Sequence, residues 1–325
     1  MGGEKSPSSL VLGESRMFFN KMIHLQLTLF LLILIGVFLK RKKFISEEGQ
    51  KLMSDLTVNL ILPCNIIVSF GGEIEITKEF AKNCGRIFLI STVIHIVSVY
   101  VGKYLFRKYD TEKKKIFSYG IIVSNSSFIG IPIIDALYGE IGVLYTSLFQ
   151  IPARIMMWTS GLALFTEVDN KTAIGKVIKH PCIVSIGIGI ILRISNIQLP
   201  EFINNALTCI SNCTIPISML AIGAMFSNCK ITQLFDKSVL YYSAIRLAGC
   251  PVVVMMVLKI LNMDEVLMGV VVLLTGMPMA GTTAILAEEY RGDSQLAAQT
   301  IFVSTMLSIV TLPMIYYLLT ISILL

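Results

Sequence analysis

Charged residues are scarce in this chain of 325 residues: Asp, Glu, Lys and Arg make up 15% of it, whereas hydrophobic residues make up 54%. Soluble globular domains carry roughly 25% charged residues. The segments 202–229, 266–287 and 294–325 contain no charge at all, and each is long enough to cross a bilayer as a helix, which needs about 20 apolar residues. The composition argues against a soluble enzyme and predicts an all-α integral membrane protein.

Signatures of the common catalytic sites are also missing. None of the three histidines is followed by glutamate, so the chain has no His-Glu-x-x-His zinc motif. It has no Gly-x-Ser-x-Gly elbow and no Walker loop, which argues against a hydrolase and against direct ATP drive. The seven cysteines lie in or beside apolar segments and predict packing residues, not a zinc site or a disulfide framework. We expect no metal, no organic cofactor and no nucleic-acid partner.

Ten transmembrane helices fit the apolar segments. They are predicted near residues 18–39, 52–71, 80–102, 116–137, 141–165, 181–199, 202–227, 238–260, 265–288 and 297–322. Most of the 27 Lys and Arg residues then fall in the loops that follow odd-numbered spans, and cytoplasmic loops carry such an excess. The pattern predicts a multi-pass protein of the cytoplasmic membrane, with a polar tail at residues 1–17 and both termini outside the cytoplasm.

The two halves of the chain resemble each other. They share breakers and a charge at matching places, namely Pro63 with Pro216, Pro132 with Pro278, and Arg86 with Arg246. We therefore predict one five-helix repeat at 18–166, a cytoplasmic linker at 167–180 and a second repeat at 181–325. Because five is an odd number, the second repeat must enter the membrane from the opposite face, as in the inverted repeats of many secondary transporters.

Spans 4 and 9 are predicted to be broken at Gly130–Pro132 and Gly276–Pro278, because proline removes a backbone donor and glycine adds backbone freedom. A broken helix at membrane depth is tolerated where it lines a polar cavity, and a half-helix N-terminus suits a carboxylate. The candidate substrate-binding residues are Ser124, Asn125, Ser126, Gly130, Pro132, Gly276, Pro278, Thr282 and Asn65. The alternative is a pair of kinked helices packed through small residues.

Asp135, Arg154 and Arg246 are ionisable residues that lie inside the predicted spans. Such residues are costly in a bilayer and are candidates for function by default. They predict ion coupling or charge pairing. For the two arginines, a salt bridge or pairing with backbone carbonyls that holds helices together is an equal alternative. Proton or sodium coupling and a homodimer are both left open.

The motifs together resemble the auxin efflux carrier family, with its bacterial permeases, over almost the whole chain from Met17 to Leu325. The resemblance rests on Pro63-Cys64-Asn65, on the Ser124-Asn125 to Pro132 segment, and on Leu199-Pro200 followed by Pro216–Gly223. It also rests on Pro278-Met279-Ala280 through Tyr290 and Asp293, and on Ser304-Thr305, Ser308, Thr311 and Pro313.

This resemblance implies ten helices in a five-plus-five inverted repeat, with a scaffold domain, a transport domain, and helices 4 and 9 crossing at their prolines. Asn125, Pro132 and Pro278 would then lie at the crossing and the substrate site. Plant members export the auxin anion, and bacterial relatives are assigned to small carboxylates. The segment between Thr166 and Pro181 is short, so the long regulatory loop of many plant members is absent. We expect a carrier for a small organic anion; the alternative is a membrane-embedded sensor or channel.

Overall fold

The fold was examined in a computed structural model that describes residues 7–71, 77–166, 175, 177–195, 197–227 and 236–324. Side chains are described from Ile23 onward within these ranges, except at 71, 288, 289 and 324. Most of the predicted linker, residues 167–174 and 176, lies outside the described residues. Residues 7–17 of the predicted tail belong to the first helix, which begins at Pro7.

The described residues form α-helices joined by short turns, without a β-strand. The helices are α1 (Pro7–Arg41), α2 (Glu47–Leu56), α3 (Leu62–Gly71), α4 (Lys78–Leu105), α5 (Thr111–Ile122), α6 (Ile131–Met156), α7 (Pro181–Ile194), α8 (Glu201–Ser211), α9 (Thr214–Phe226), α10 (Lys237–Ala244), α11 (Cys250–Ile260), α12 (Glu265–Thr275), α13 (Thr282–Glu289) and α14 (Ser294–Leu324). Seven described helical stretches are long and apolar enough to cross a membrane, and α7 and α12 are shorter apolar helices. The chain is therefore a multi-pass membrane protein.

Three prolines each follow a widened, π-helical turn. The turns are Thr57–Ile61, Ser126–Gly130 and Ile245–Gly249, and Pro63, Pro132 and Pro251 each lie two residues beyond the end of a turn. A proline ring clashes with the carbonyl four residues earlier and cannot donate to it. Widening the preceding turn relieves that clash while the helix continues. At these three prolines the helix is therefore deformed but not ended.

Gly139 lies between the fourth and fifth predicted spans, where the helical backbone is interrupted. The helical stretch Ser126–Leu164 has 39 residues, and a straight helix of that length would be about 59 Å long, roughly twice the hydrocarbon thickness. Gly139 interrupts it with φ 60° and ψ −150°, a conformation that side chains larger than hydrogen disfavour. A Cβ atom there would meet no neighbour within 4 Å, so the backbone angle alone accounts for the glycine.

Helices from the two halves pack closely. Helix α1 packs on α9, and α3 packs on α7. At Gly36 and Gly223 the α1 and α9 backbones touch, because a Cβ atom on Gly223 would lie 2.1 Å from the carbonyl oxygen of Ile33. Small residues allow such close approach in membrane proteins. Large apolar side chains such as Leu89 and Val253 are 63% and 60% exposed, as expected of surfaces that face lipid.

Candidate functional site

Two interrupted helices meet in the middle of the fold. The first interruption separates α5 from the turn that begins at Ser126, and the second separates α12 from α13. Ser124 and Met279 form an antiparallel β-bridge, and the backbone N–H of Asn125 donates to the carbonyl of Pro278 at 2.8 Å. The structure thus brings the two interruptions together, although Asn125 and Pro278 are 153 residues apart in the chain. We call this contact the crossing.

The first break lies earlier than predicted. Helix α5 ends at Ile122, Val123 is extended, and Asn125 begins the next helical turn as its N-cap. The side-chain oxygen of Asn125 accepts a hydrogen bond of 3.2 Å from the backbone N–H of Phe128, which is the usual role of asparagine at this position. The prediction of a break at Gly130–Pro132 was therefore misplaced, because capping by Asn125 starts the helix before the proline is reached.

Gly130 has helical backbone angles, φ −66° and ψ −53°, so the backbone conformation does not require a glycine here. A Cβ atom there would lie 2.9 Å from Leu274 of α12. Gly130 instead allows the two interrupted helices to approach each other. Pro132 is buried in the first turn of α6.

The second break matches its prediction more closely. Helix α12 ends at Thr275, and Gly276 and Pro278 lie inside the interruption. Proline disfavours helical angles in the residue before it, which is Met277. The N–H of Met279 donates to the hydroxyl of Ser304 at 3.2 Å, so this break is also anchored to α14.

Arg246 lies in the π-helical turn that follows α10, and its side chain bonds to both breaks. Its Nε donates to the carbonyl of Met277 at 3.0 Å, and its Nη1 donates to the carbonyl of Ile121 at 2.8 Å. Both carbonyls belong to interrupted helix ends, where intrahelical donors are missing. Arg246 is 5% exposed, and no ion pair between described residues includes it. The contacts of Arg246 are therefore with backbone carbonyls, and a role of Arg246 in ion coupling stays a prediction.

Arg154 bonds to side chains instead of the backbone. Its Nη2 donates to Ser127 at 2.9 Å and to Gln150 at 3.3 Å, and its Nη1 lies 2.9 Å from Nε2 of His180. The amide of Gln150 donates in turn to the carbonyl of Ser126 at 3.2 Å. We call Ser127, Gln150, Arg154 and His180 the Arg154 cluster. It joins the first turn after the break to α6 and to the start of α7.

Thr282 and Ser124 also lie at the crossing. The hydroxyl of Thr282 is 3.3 Å from that of Tyr119 on α5, and the Ser124 hydroxyl donates to the carbonyl of Leu274 over a long 3.4 Å. Two further hydroxyls, on Thr283 and Thr305, are buried with no hydrogen-bond partner among the described residues. Buried polar atoms without a partner are rare and call for an explanation, such as a bound ligand.

Asn65 and Asp135 lie together but do not take part in the bonds of the crossing. The side-chain amide of Asn65 donates to Ser211 at 2.8 Å and to Asp135 at 3.4 Å. These residues belong to α3, α8 and α6. The sequence motif grouped Asn65 with the substrate-binding residues. In the structure the Asn65 side chain bonds to the side chains of Asp135 and Ser211.

An apolar cleft of about 260 Å³ is found elsewhere, among α3, α4, α6 and α7. Its lining residues are Phe70, Phe80, Ala81, Cys84, Leu144, Leu148, Ile190, Arg193 and Ile194. The wall is almost entirely hydrocarbon, so the cleft suits an acyl chain better than a small polar solute.

Sequence reasoning missed several members of these clusters. Gln150, Ser211, Ser304 and His180 were not predicted to take part. Gln150 could have been found, because it is an amide inside an apolar helix and lies four residues before Arg154, a spacing that places both on one face. Ser304 belongs to the Ser304-Thr305 motif, although the motif did not predict its bond to Met279, and Ser211 carries no comparable signal.

A comparison with known protein families identifies the fold's relatives. A family profile described as "Membrane transport protein" matches residues 21–176 and 170–316. The chain belongs to this family, the auxin efflux carriers. Its function in membrane transport follows from that membership.

Two archaeal relatives of this chain are similar over nearly their whole length. An uncharacterized transporter of Methanocaldococcus jannaschii is 24% identical over 294 residues, which cover 88% of this chain and 95% of the relative. An uncharacterized transporter of Methanothermobacter thermautotrophicus is 24% identical over 296 residues, or 89% and 95% of the two chains. Neither description states a substrate.

Proposed function

We propose that this carrier is a secondary transporter that moves a small organic anion, a mono- or dicarboxylate, across the cytoplasmic membrane by alternating access. The observation that carries the proposal is the electrostatic balance of the crossing. Helices α5 and α12 end there, while the helical turns after Asn125 and Gly281 begin there. Each helix end carries a partial charge of about half a unit, negative at the C-terminus and positive at the N-terminus.

Arg246 matches the negative ends. Two C-termini contribute about −1 in total, and the single charge of Arg246 is bonded to carbonyls at both. The two N-termini retain their positive partial charges, although some of their N–H groups already have acceptors. The N–H of Phe128 bonds to the side-chain oxygen of Asn125, and the N–H groups of Thr283 and Ala284 bond to the carbonyls of Ala280 and Gly281. An anion fits such a place without needing a counter-cation. Arg154, bonded to Ser127 in the first turn, adds a full positive charge nearby.

Packing between the halves supports an inverted repeat of five helices each. A two-fold axis in the membrane plane would exchange span 1 with span 6 and span 2 with span 7. The packing of α1 on α9 joins span 1 to span 7. The two-fold exchange converts it into a contact between span 6 and span 2, which is the packing of α7 on α3. Both contacts occur. In such transporters the substrate lies where discontinuous helices of the two repeats meet.

Contacts between loops support the proposed topology. Lys113 and Asp236 form an ion pair of 3.2 Å, and Arg41 donates to the carbonyl of Ser227 at 3.4 Å. All four lie at the ends of spans that the charge pattern assigns to the cytoplasmic side. Lys259 donates to the carbonyl of Ser322 at 2.7 Å, at the ends assigned to the opposite side.

The proposal is tested by thermal stabilisation of the purified protein with a panel of mono- and dicarboxylates. A ligand that binds only the folded state at a hundredfold excess over its Kd raises the unfolding free energy by about 2.7 kcal/mol. We expect a selective increase in Tm for at least one carboxylate. Asn125→Ser should abolish it, since serine keeps the N-cap oxygen but removes the amide N–H₂ group. Asn204→Ala, on an exposed face of α8, is the matched control.

Transport itself separates a carrier from the alternative of a channel or sensor. Vesicles that contain the protein and unlabelled carboxylate should accumulate the labelled compound by counterflow. A channel would equilibrate the label without accumulation, and a sensor would bind without transport. A carboxylate shift that persists in Asn125→Ser, or the absence of any shift well above millimolar concentration, would contradict the anion site.

A further inference from the structure

Resting on the proposed carrier function, we propose that Asn65, Asp135 and Ser211 form a sodium site that is separate from the anion site at the crossing. The decisive observation is the side-chain oxygen of Asn65. It is buried and has no hydrogen-bond partner among the described residues, and Asn65 as a whole is 5% exposed. An unpaired buried polar atom costs about 1–3 kcal/mol. Either orientation of the Asn65 amide leaves one polar atom without a partner, so hydrogen bonding alone does not fix the orientation.

The three side chains come from different helices and meet at one point. The Asn65 amide nitrogen, on α3, lies 2.8 Å from the hydroxyl oxygen of Ser211 on α8 and 3.4 Å from a carboxylate oxygen of Asp135 on α6. Rotation of the Asn65 amide by half a turn places its oxygen where the nitrogen now lies. The cluster would then present an amide oxygen, a hydroxyl and a carboxylate to one position.

This ligand set suits a small hard cation. Oxygen donors of the carboxylate, carbonyl and hydroxyl types bind such ions. A single carboxylate balances one positive charge, whereas a calcium site requires six to eight oxygen ligands, as a rule with several carboxylates. In the empty state the Asn65 N–H₂ group donates to the same oxygens and so replaces the cation. The two amide orientations therefore correspond to empty and occupied states.

The surrounding charge also favours a cation. Helix α8 ends at Ser211 and α9 begins at Thr214, so the opposite partial charges of the two helix ends offset each other and the negative charge near the cluster comes from Asp135. Asp135 belongs to none of the ion pairs among the described residues, and the exposed carboxylate of Glu140 is close enough to feel its charge.

The position of Asp135 gives the ion a way to influence the anion site. Asp135 and Ser126 lie on one continuous helical segment, which begins at the crossing and runs to the break at Gly139. An ion shared by Asp135, Asn65 and Ser211 would fix this segment against α3 and α8. Sodium binding would thus set the position of the half-helix whose N-terminus is proposed to hold the carboxylate.

The test is the Tm of the purified protein in sodium chloride, potassium chloride and choline chloride at equal ionic strength. We expect sodium to raise Tm by at least about 2 °C over choline at saturation. Asp135→Asn and Asn65→Leu should lose the sodium-specific shift. Asp55→Asn removes an exposed carboxylate near the start of the span that contains Asn65, and this variant should keep the sodium-specific shift.

Independent readouts separate this proposal from the anion proposal. Asn125→Ser should keep the sodium shift. Asp135→Asn should keep a carboxylate shift at saturating carboxylate, but with a weaker affinity, because sodium no longer positions the half-helix. Each retained shift also proves that the variant is folded. Equilibrium binding of radioactive sodium to the wild type and to Asp135→Asn gives the site directly. Absence of a sodium shift, or a shift unchanged in Asp135→Asn and Asn65→Leu, would overturn the proposal. Stabilisation by acid with no dependence on sodium would also overturn it and assign a proton to Asp135.

Discussion

The two arginines near the crossing are held in opposite ways. Arg246 donates to two backbone carbonyls, one from each interrupted helix. Arg154 donates to three side chains, those of Ser127, Gln150 and His180. Backbone carbonyls at a helix break cannot turn toward another donor, whereas side chains can pair with one another. Arg246 is therefore part of the architecture of the crossing, and Arg154 belongs to an adjustable polar cluster beside it.

Replacing Arg246 should have the largest effect. Arg246→Met leaves the carbonyls of Ile121 and Met277 buried without a donor, and each hydrogen bond to a charged group contributes about 1.5–3 kcal/mol. We expect a loss of about 3–6 kcal/mol of folding free energy, or failure to purify as a monodisperse species. Arg246→Lys should recover about half of that loss, because an ammonium group on one stem lacks the fork that reaches both carbonyls.

Arg86→Met is the matched control, since the sequence pairs Arg86 with Arg246. Arg86 bonds only within its own helix in the described structure, to the side chain of Asn83 at 3.1 Å. Its replacement should change Tm by less than about 2 °C, in line with surface substitutions. Equal losses for Arg86→Met and Arg246→Met would contradict the special role of Arg246.

This pair also shows how far sequence symmetry can be trusted. The matched breakers predicted that spans 4 and 9 are interrupted, and both are. They did not predict the positions, because the first break is set by the N-cap at Asn125 and the second by Gly276 and Pro278. Nor did they predict that only one arginine of the pair reaches the crossing. Proline and glycine reveal where a helix is weak, whereas capping and packing decide where it ends.

Replacing Arg154 should have a smaller effect on folding and a larger one on binding. In Arg154→Met the Ser127 hydroxyl still donates to Gln150, and the Gln150 amide still donates to the carbonyl of Ser126. We therefore expect a loss of about 1–2 kcal/mol in stability. Under the proposed function, removing this charge should weaken carboxylate binding by at least about tenfold, equal to 1.4 kcal/mol.

Dose-dependent shifts of Tm with the best carboxylate measure that change in Kd. Arg154→Lys keeps the charge but not the planar fork, so it separates electrostatics from geometry. A Kd unchanged in Arg154→Met would remove the Arg154 cluster from the anion site and leave the helix N-termini as its source.

The contacts of the candidate sites were the least predictable part of the molecule. Composition and charge predicted a multi-pass helical membrane protein, because desolvation acts on long segments of the chain. Asn65, Ser211 and Asp135 come from three helices, and their meeting depends on how α3, α6 and α8 pack. A local pattern records no such long-range contact, so the motif did not predict that Asn65 bonds to Asp135 and Ser211, and the place of Asn65 among the substrate-binding residues stays a prediction.

The smallest expected effect is a dependence of stability on pH, and it is confined to the Arg154 cluster because the acceptors of Arg246 do not titrate. Burial, together with the positive charge of Arg154, lowers the pKa of His180 to about 3. The unfolded chain takes up a proton near pH 6.5, whereas the folded chain keeps His180 neutral until far lower pH. The contribution to stability is therefore present above about pH 6.5 and is lost as pH falls toward 3.

We expect the unfolding free energy to decrease below about pH 6.5 with a slope of at most about 1.4 kcal/mol per pH unit from this group. His180→Asn removes the titration while retaining a good N-cap residue ahead of Pro181. Its Tm should fall less than that of the wild type between pH 7.5 and 5.0. Arg154→Met should also reduce the slope, because removing the neighbouring positive charge raises the pKa of His180. Equal slopes of stability against pH in all three proteins would show that His180 already accepts a proton in the folded state. Arg154 and Arg246 would then differ in their bonding partners but not in the pH dependence of their contribution to stability.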